Sequence, residues 1–227
     1  MNRLSYILPM IIAVACAFCA CDSQHGSDMP QDSFRYDFVT YDGYADGIAQ
    51  FTYQPRLDGS PITLIAHMSK SPAVAKGRRV LLNYYITKQN SSSTSYSQEV
   101  KVNGITGIIT DTLRLATKLR IDTMASEDIR LLSIWRSGHY INMNAEVLHT
   151  GKARWFYLLA DRATFSSDTV ECYLIHNTFG APSYHWRKAY ASFYVGAAWK
   201  NPACKAIRIH LNDVIAPGIH EYCFGKQ

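Results

Sequence analysis

The sequence predicts an all-β fold: a small OB-like Greek-key barrel followed by a β-sandwich. Three observations predict it. Short runs of alternating apolar and polar residues recur along the chain, bounded by Gly, Asn, Asp or Ser turn signals. Tyrosine is abundant, at 15 residues, which suits strands better than helical bundles. No amphipathic segment is long enough to organise a bundle. With 48% hydrophobic and 18% charged residues, the 227-residue chain can bury a core and does not have a disordered composition.

The first element is a leader. Met1 to Arg3 is a short positive start, and Leu4 to Phe18 is apolar except for Ser5 and Pro9. That stretch is shorter than the roughly 20 residues of a membrane span, and it reads as a secretory signal over residues 1–20. The cut region Ala17-Phe18-Cys19-Ala20-Cys21-Asp22 resembles a bacterial lipobox, with Cys16 after Ala15 as a competing site. Cys21 is then the lipid attachment residue, since a thiol can carry a diacylglyceryl thioether and its freed amine a further acyl chain such as palmitate. Two or more chains anchor a protein stably where one does so marginally. Residues 21–33 carry Asp22, Asp28 and Asp32 with no Lys or Arg and read as a flexible tether.

Residues 34–111 hold about five strand signals. Arg35 to Tyr41 alternates up to Asp42-Gly43, and Ile48 to Tyr53 follows. Asp58-Gly59 marks a hairpin leading to Ile62–Ala66, and Lys76-Gly77-Arg78-Arg79 turns into Val80–Thr87. Gln98 to Ile109 closes the set after a serine loop. Five short strands in this length suit an OB barrel.

Residues 112–227 read as the sandwich. Thr112 to Met124 is a short helix or an extended linker. Ile129–Arg136 and Tyr140–Leu148 flank the turn Ser137-Gly138, and Trp155–Leu159 comes next. Val170, Cys172 and Leu174 point one way, with Glu171, Tyr173 and Ile175 opposite. Lys188–Val195 carries alternate aromatics, and Ile207, Ile209 and Leu211 alternate with Arg208, His210 and Asn212. Several short strands of this kind suggest a sandwich.

Charge and cysteine usage set further bounds. The formal charge of +5 becomes +4 when Arg3 leaves with the leader. Fourteen basic against nine acidic residues make 112–227 mildly basic, which favours acidic glycans or headgroups, or is plain surface charge. Three of the six cysteines lie at or before the cut, so Cys16 and Cys19 form no redox motif. Cys172, Cys204 and Cys223 either include one disulfide or serve as small buried hydrophobes.

Several stretches together are familiar. Gly77-Arg78-Arg79-Val80-Leu81-Leu82-Asn83-Tyr84, then Val100-Lys101-Val102-Asn103 with Ile105 and Ile108, resembles the NigD-like lipoproteins of Gram-negative anaerobes. Arg56-Leu57-Asp58-Gly59, Gly138-His139-Tyr140-Ile141-Asn142 and the His176-Asn177 pair before Gly180 fit in the same order. Phe18-Cys19 before the cut departs from the family. The resemblance implies an OB-like domain, a β-sandwich and a lipoprotein signal. The family takes its name from a protein encoded in a bacteriocin locus, so the resemblance implies bacteriocin immunity, and it carries over no catalytic residues.

The chain has no Gly-x-Ser-x-Gly elbow, His-Glu-x-x-His, P-loop or Rossmann fingerprint. Asp42, Asp46 and Asp58 fit turn chemistry better than a calcium loop. No cofactor or metal is expected. His176, Asn177, Tyr184 and Trp186 are the candidate ligand-binding residues, because polar donors beside aromatics can recognise sugar rings. An aromatic core edge with a loop is the competing reading. The expected function is a lipid-anchored, non-catalytic binding protein of the outer membrane with an immunity role. Its ligand is a protein or a glycan, and export argues against nucleic acid. The alternatives are a glycan-binding lipoprotein linked to polysaccharide uptake, and an enzyme with a dispersed site.

Overall fold

The computed structural model of the chain describes residues 34–91, 96–149, 151, 155–180, 182, 184–215 and 218–226. The leader, Cys21 and the acidic tether lie outside these residues.

Five strands close a barrel: β1 (Phe34–Ala45), β2 (Ile48–Tyr53), β3 (Ile62–His67), β4 (Arg79–Ser91) and β5 (Tyr96–Gly107). Their order is β1-β2-β3-β5-β4, with β3 and β5 parallel, as in an OB barrel. β1 serves two neighbours, pairing with β4 through its first half and with β2 through its second. Asp42-Gly43 does not end this strand. It forms a bulge after Tyr41, with Gly43 at φ 140°, and the bend lets one strand close the barrel. The turn falls at Asp46-Gly47, where both residues have positive φ (51° and 79°), as a two-residue hairpin turn demands. Val39, Phe51, Leu64, Leu82 and Tyr84 fill the interior. The Tyr84 hydroxyl donates to Asp37 at 2.8 Å, and burial together with that carboxylate raises its pKa.

The chain then enters the sandwich at once. β6 (Ile109–Thr112) pairs in parallel with β12 (His185–Tyr194), and β7 (Arg114–Ala116) pairs in parallel with β10 (Trp155–Asp161) in the opposite sheet. Two consecutive short strands thus stitch the two layers together. The remaining elements are α1 (Lys118–Thr123), β8 (Ile129–Ser137), β9 (Tyr140–His149), β11 (Thr169–Asn177), α2 (Gly196–Lys200), β13 (Ala206–Asn212) and β14 (Ile219–Gly225). One sheet runs β14-β13-β11-β10-β7 and the other β6-β12-β9-β8.

The predicted alternation fills the space between the sheets. Val170, Cys172, Leu174, Ile207, Ile209 and Leu211 meet Ile141, Met143, Ala191 and Phe193 there. Each large side chain so buried contributes roughly 1.5–3 kcal/mol. Ile175, on the opposite face of β11, is buried too, because α1 brings Ile121 against it with Ala116 and Leu159. The segment read as a short helix or linker, Thr112 to Met124, therefore holds the end of β6, the strand β7 and a helix. Thr117 caps that helix, its Oγ1 accepting from the Arg120 N–H at 3.4 Å. Cys172 and Cys204 are buried, Cys223 is exposed, and none of the three is paired. Among the described residues no helix is long and apolar enough to cross a membrane.

The barrel packs on the outer face of the four-stranded sheet through a buried cation. Arg79 opens β4 and is 4% exposed, with no carboxylate bridging to it among the described residues. Its Nε donates to Ser192 Oγ at 3.2 Å, and its Nη2 to Ser137 Oγ at 3.3 Å and Asn142 Oδ1 at 3.2 Å. Nη1 donates to Thr40 at 3.4 Å, and the guanidinium lies 4.2 Å from the centre of the Tyr140 ring. Asn142 donates to Ser137 and accepts from Ser192, both at 2.8 Å, so the neutral partners orient one another. Burial lowers Arg79 to about 10, which leaves it charged at neutral pH.

Phe38 extends the contact by meeting Trp135 and Tyr190 edge-on, at 4.9 and 6.0 Å. A bulge between Leu131 and Ser133 shifts the phase of β8, so that Ile134 meets the sandwich core while Trp135 and Ser137 face the barrel. At the β8–β9 turn Gly138 has φ 51°, and a Cβ there would stand 2.8 Å from the Gln54 side chain. The β2–β3 loop inserts Leu57 against the sandwich core.

Candidate binding groove

The outer face of the five-stranded sheet carries the most chemically distinct concavity. Alternation along β10 sends Phe156, Leu158 and Ala160 into the core and leaves Trp155, Tyr157 and Leu159 outside. α1 covers only part of that outer face. Between the helix, β7 and the turn after β11 lies a groove of about 450 Å³, within the size range of ligand sites. Tyr157 and Leu159 form its floor. Arg120 and Met124 come from the helix side, Arg114 and Leu115 from β7, and Asn177 and Phe179 from the end of β11. Among the described residues that line it, none is a carboxylate.

The basic groups stay accessible. Arg120 is exposed, and the Arg114 side chain is 55% exposed. Arg114 meets Asp111 at 2.9 Å, and its guanidinium lies 5.1 Å from the centre of the Tyr157 ring. A surface pair of this kind contributes little to stability and leaves the cation available to a ligand. Phe179 is 68% exposed and has φ 53°, in the left-handed region that a bulky side chain rarely occupies. Such a conformation costs on the order of 1–3 kcal/mol. Asn177 holds it there, its Oδ1 accepting the Phe179 N–H at 2.6 Å. Trp155 pairs in register with Asn177 and is 51% exposed.

The strand end beneath is tied down. The His176 N–H donates to Ser126 Oγ at 3.2 Å, its carbonyl accepts the Glu127 N–H at 2.7 Å, and Thr178 donates to Glu127 at 3.0 Å. The groove therefore rests on a fixed scaffold.

The four sequence candidates are not gathered at one place. Asn177 lines the groove. His176 points the other way, fully buried, with its ring stacked 4.8 Å from that of Phe156. Trp186 belongs to the opposite sheet, where the Arg130 guanidinium covers its ring at 3.8 Å. Tyr184 is 76% exposed, and its N–H donates to His149 O at 3.3 Å. Strand alternation and the two-sheet architecture separate them, although they are close in sequence. Arg114, Arg120, Tyr157 and Phe179 are not singled out by the sequence reading. The signals that reveal them are the aromatic outer face of Trp155 and Tyr157 and the bulky residue before Gly180.

Groups that resemble reactive ones are engaged elsewhere. Both ring nitrogens of His210 face carboxylates, Nε2 at 2.6 Å from Glu171 and Nδ1 at 3.4 Å from Glu221. Arg208 bridges the same two acids at 3.1 and 3.7 Å, and Tyr173 stacks on the imidazole at 4.6 Å. This cluster ties β11, β13 and β14 together. Burial raises the Cys172 and Cys204 thiols, away from the thiolate form that a nucleophile needs. A concavity of about 600 Å³ beside the β1–β2 turn includes Asp42, which accepts from Thr52 at 2.6 Å. Another, of about 500 Å³, lies between the end of β5 and strands β9 and β12.

No protein-family model and no curated protein matches this sequence. Solved structures do match. A Bacteroides vulgatus protein of unknown function is 15% identical, with a TM-score of 0.67, over 85% of this chain and 90% of that one. A NigD-like immunity protein from Bacteroides caccae is 20% identical, with a TM-score of 0.56, over 89% of this chain and 100% of that one. A Bacteroides fragilis protein provisionally called a lipoprotein is 12% identical, with a TM-score of 0.59, over 86% and 98%. At these identities the likeness is one of fold. It extends over most of the chain and includes a NigD-like protein, as the sequence resemblance implies.

Proposed function

We propose that this protein is a lipid-anchored component of the cell envelope that works by binding, in the manner of an immunity protein, and that the groove beside α1 is its ligand site. One observation carries the reading. A concave surface fixed by the Asn177–Phe179 and Ser126–His176 contacts presents two arginines and an outward phenylalanine held at a cost in backbone energy. Strain retained at an exposed position points to a role in contact with another molecule. The immunity role is supported by the name of the Bacteroides caccae relative and by the NigD-like sequence pattern. The anchor is supported by the lipobox-like Cys21 and by the name of the Bacteroides fragilis relative.

Two measurements in the native host test the reading. Intact-mass analysis should find an acylated Cys21 at the N-terminus, and a Cys21→Ala protein should leave the membrane fraction. A strain lacking the gene should become sensitive to a bacteriocin produced by neighbouring cells. Unchanged sensitivity across a panel of such producers would remove the immunity role.

A further inference from the structure

We infer that the groove receives an acidic peptide segment carrying an apolar anchor residue, presented by a protein partner. The inference rests on the groove being the ligand site. Its walls divide into two chemistries. Met124, Tyr157 and Leu159 make an apolar trough, in a groove large enough for one large side chain. Arg114 and Arg120 flank that trough, and none of the described residues that line it is a carboxylate. A segment with Asp or Glu beside Leu, Met or an aromatic residue complements both parts. Arginine suits this task because its planar fork binds carboxylates in bidentate fashion. Phe179, exposed at the mouth, supplies an aromatic contact of the kind enriched at protein interfaces.

A sugar fits less well. Tyr157, on the floor of the groove, already has Arg114 over its ring, which leaves less of that face for stacking a sugar. The trough beside it is aliphatic and thioether in character, which suits peptide side chains.

The test is selection of a random dodecapeptide display library on the full mature chain in detergent, followed by calorimetry with the recovered peptides. Selected peptides should place Asp or Glu beside Leu, Met, Phe or Trp. Binding should weaken at least about tenfold in an Arg114→Glu/Arg120→Glu protein, as expected for a central interface arginine. Lys-substituted versions of the same peptides should bind that protein better than they bind the wild type. Arg120→Gln, which only removes charge at an exposed position, should give a smaller loss with an unchanged melting temperature. Peptides without acidic residues, or an empty selection, would overturn the inference. So would oligogalacturonate binding with the same arginine dependence, which would assign the groove to an acidic sugar. Acidic peptides that bind the charge-reversed protein unchanged would leave the binding function standing and move its site elsewhere.

Discussion

At the junction between barrel and sandwich, Arg79 is 4% exposed, and every nitrogen of its guanidinium donates to a neutral oxygen. At the groove, Arg114 and Arg120 stand at the surface beside apolar side chains. The same residue type thus plays opposite parts. A buried guanidinium is costly unless its donors are satisfied, so the junction surrounds Arg79 with pre-oriented Ser137, Asn142 and Ser192. An exposed guanidinium costs little to keep and contributes little to stability, which leaves it free to serve recognition. The position of a cation relative to the two modules, and not its presence, decides whether it serves architecture or stays open to a ligand.

The largest effect should come from breaking the junction. Arg79→Ala should lower stability by about 2–4 kcal/mol, through lost hydrogen bonds and a cavity between the modules. Urea denaturation followed by tryptophan fluorescence measures this. Arg79→Lys should restore little, because one ammonium nitrogen cannot span the four oxygens that the three guanidinium nitrogens reach. A smaller loss, roughly 1–3 kcal/mol, is expected for Gly138→Ala, since the added Cβ meets Gln54 at a residue with φ 51°. Thermal unfolding would show it, and an unchanged melting temperature would mean that the β8–β9 turn does not set the barrel's position. The smallest effect on stability belongs to the groove. Phe179→Gly should be neutral or stabilise by up to about 1 kcal/mol, because glycine accepts the left-handed backbone. The same change should weaken binding of selected peptides. A clear loss of stability would make Phe179 a structural residue.

The strands were the most legible part of the sequence, because alternation is local. Ile207, Ile209 and Leu211 could be assigned to one face without knowing their partners, and they face the core. The bulge at Asp42-Gly43 was harder to see, since the same dipeptide serves a turn or a bulge and only the pairing of β1 with both β2 and β4 decides between them. Parallel pairings left no local trace. β6, within the span read as barrel, pairs with β12, roughly eighty residues later in the chain. The familiar stretches around Arg79 and around Tyr140-Asn142 acquire a common meaning only in three dimensions, where they meet at the junction. Asn177 reached the groove as a predicted ligand residue, but its partners there come from β7, α1 and β10. Those elements are brought together by the sheet order, which hydrophobic periodicity does not encode.

The division between the two kinds of arginine is tested most directly by equilibrium denaturation of Arg79→Ala and Arg120→Glu side by side. Arg79→Ala should unfold at a clearly lower urea midpoint. Arg120→Glu should match the wild type within about 0.5 kcal/mol, as surface changes usually do. Equal midpoints for the wild type and Arg79→Ala, or a loss at Arg120 as large as that at Arg79, would contradict the account.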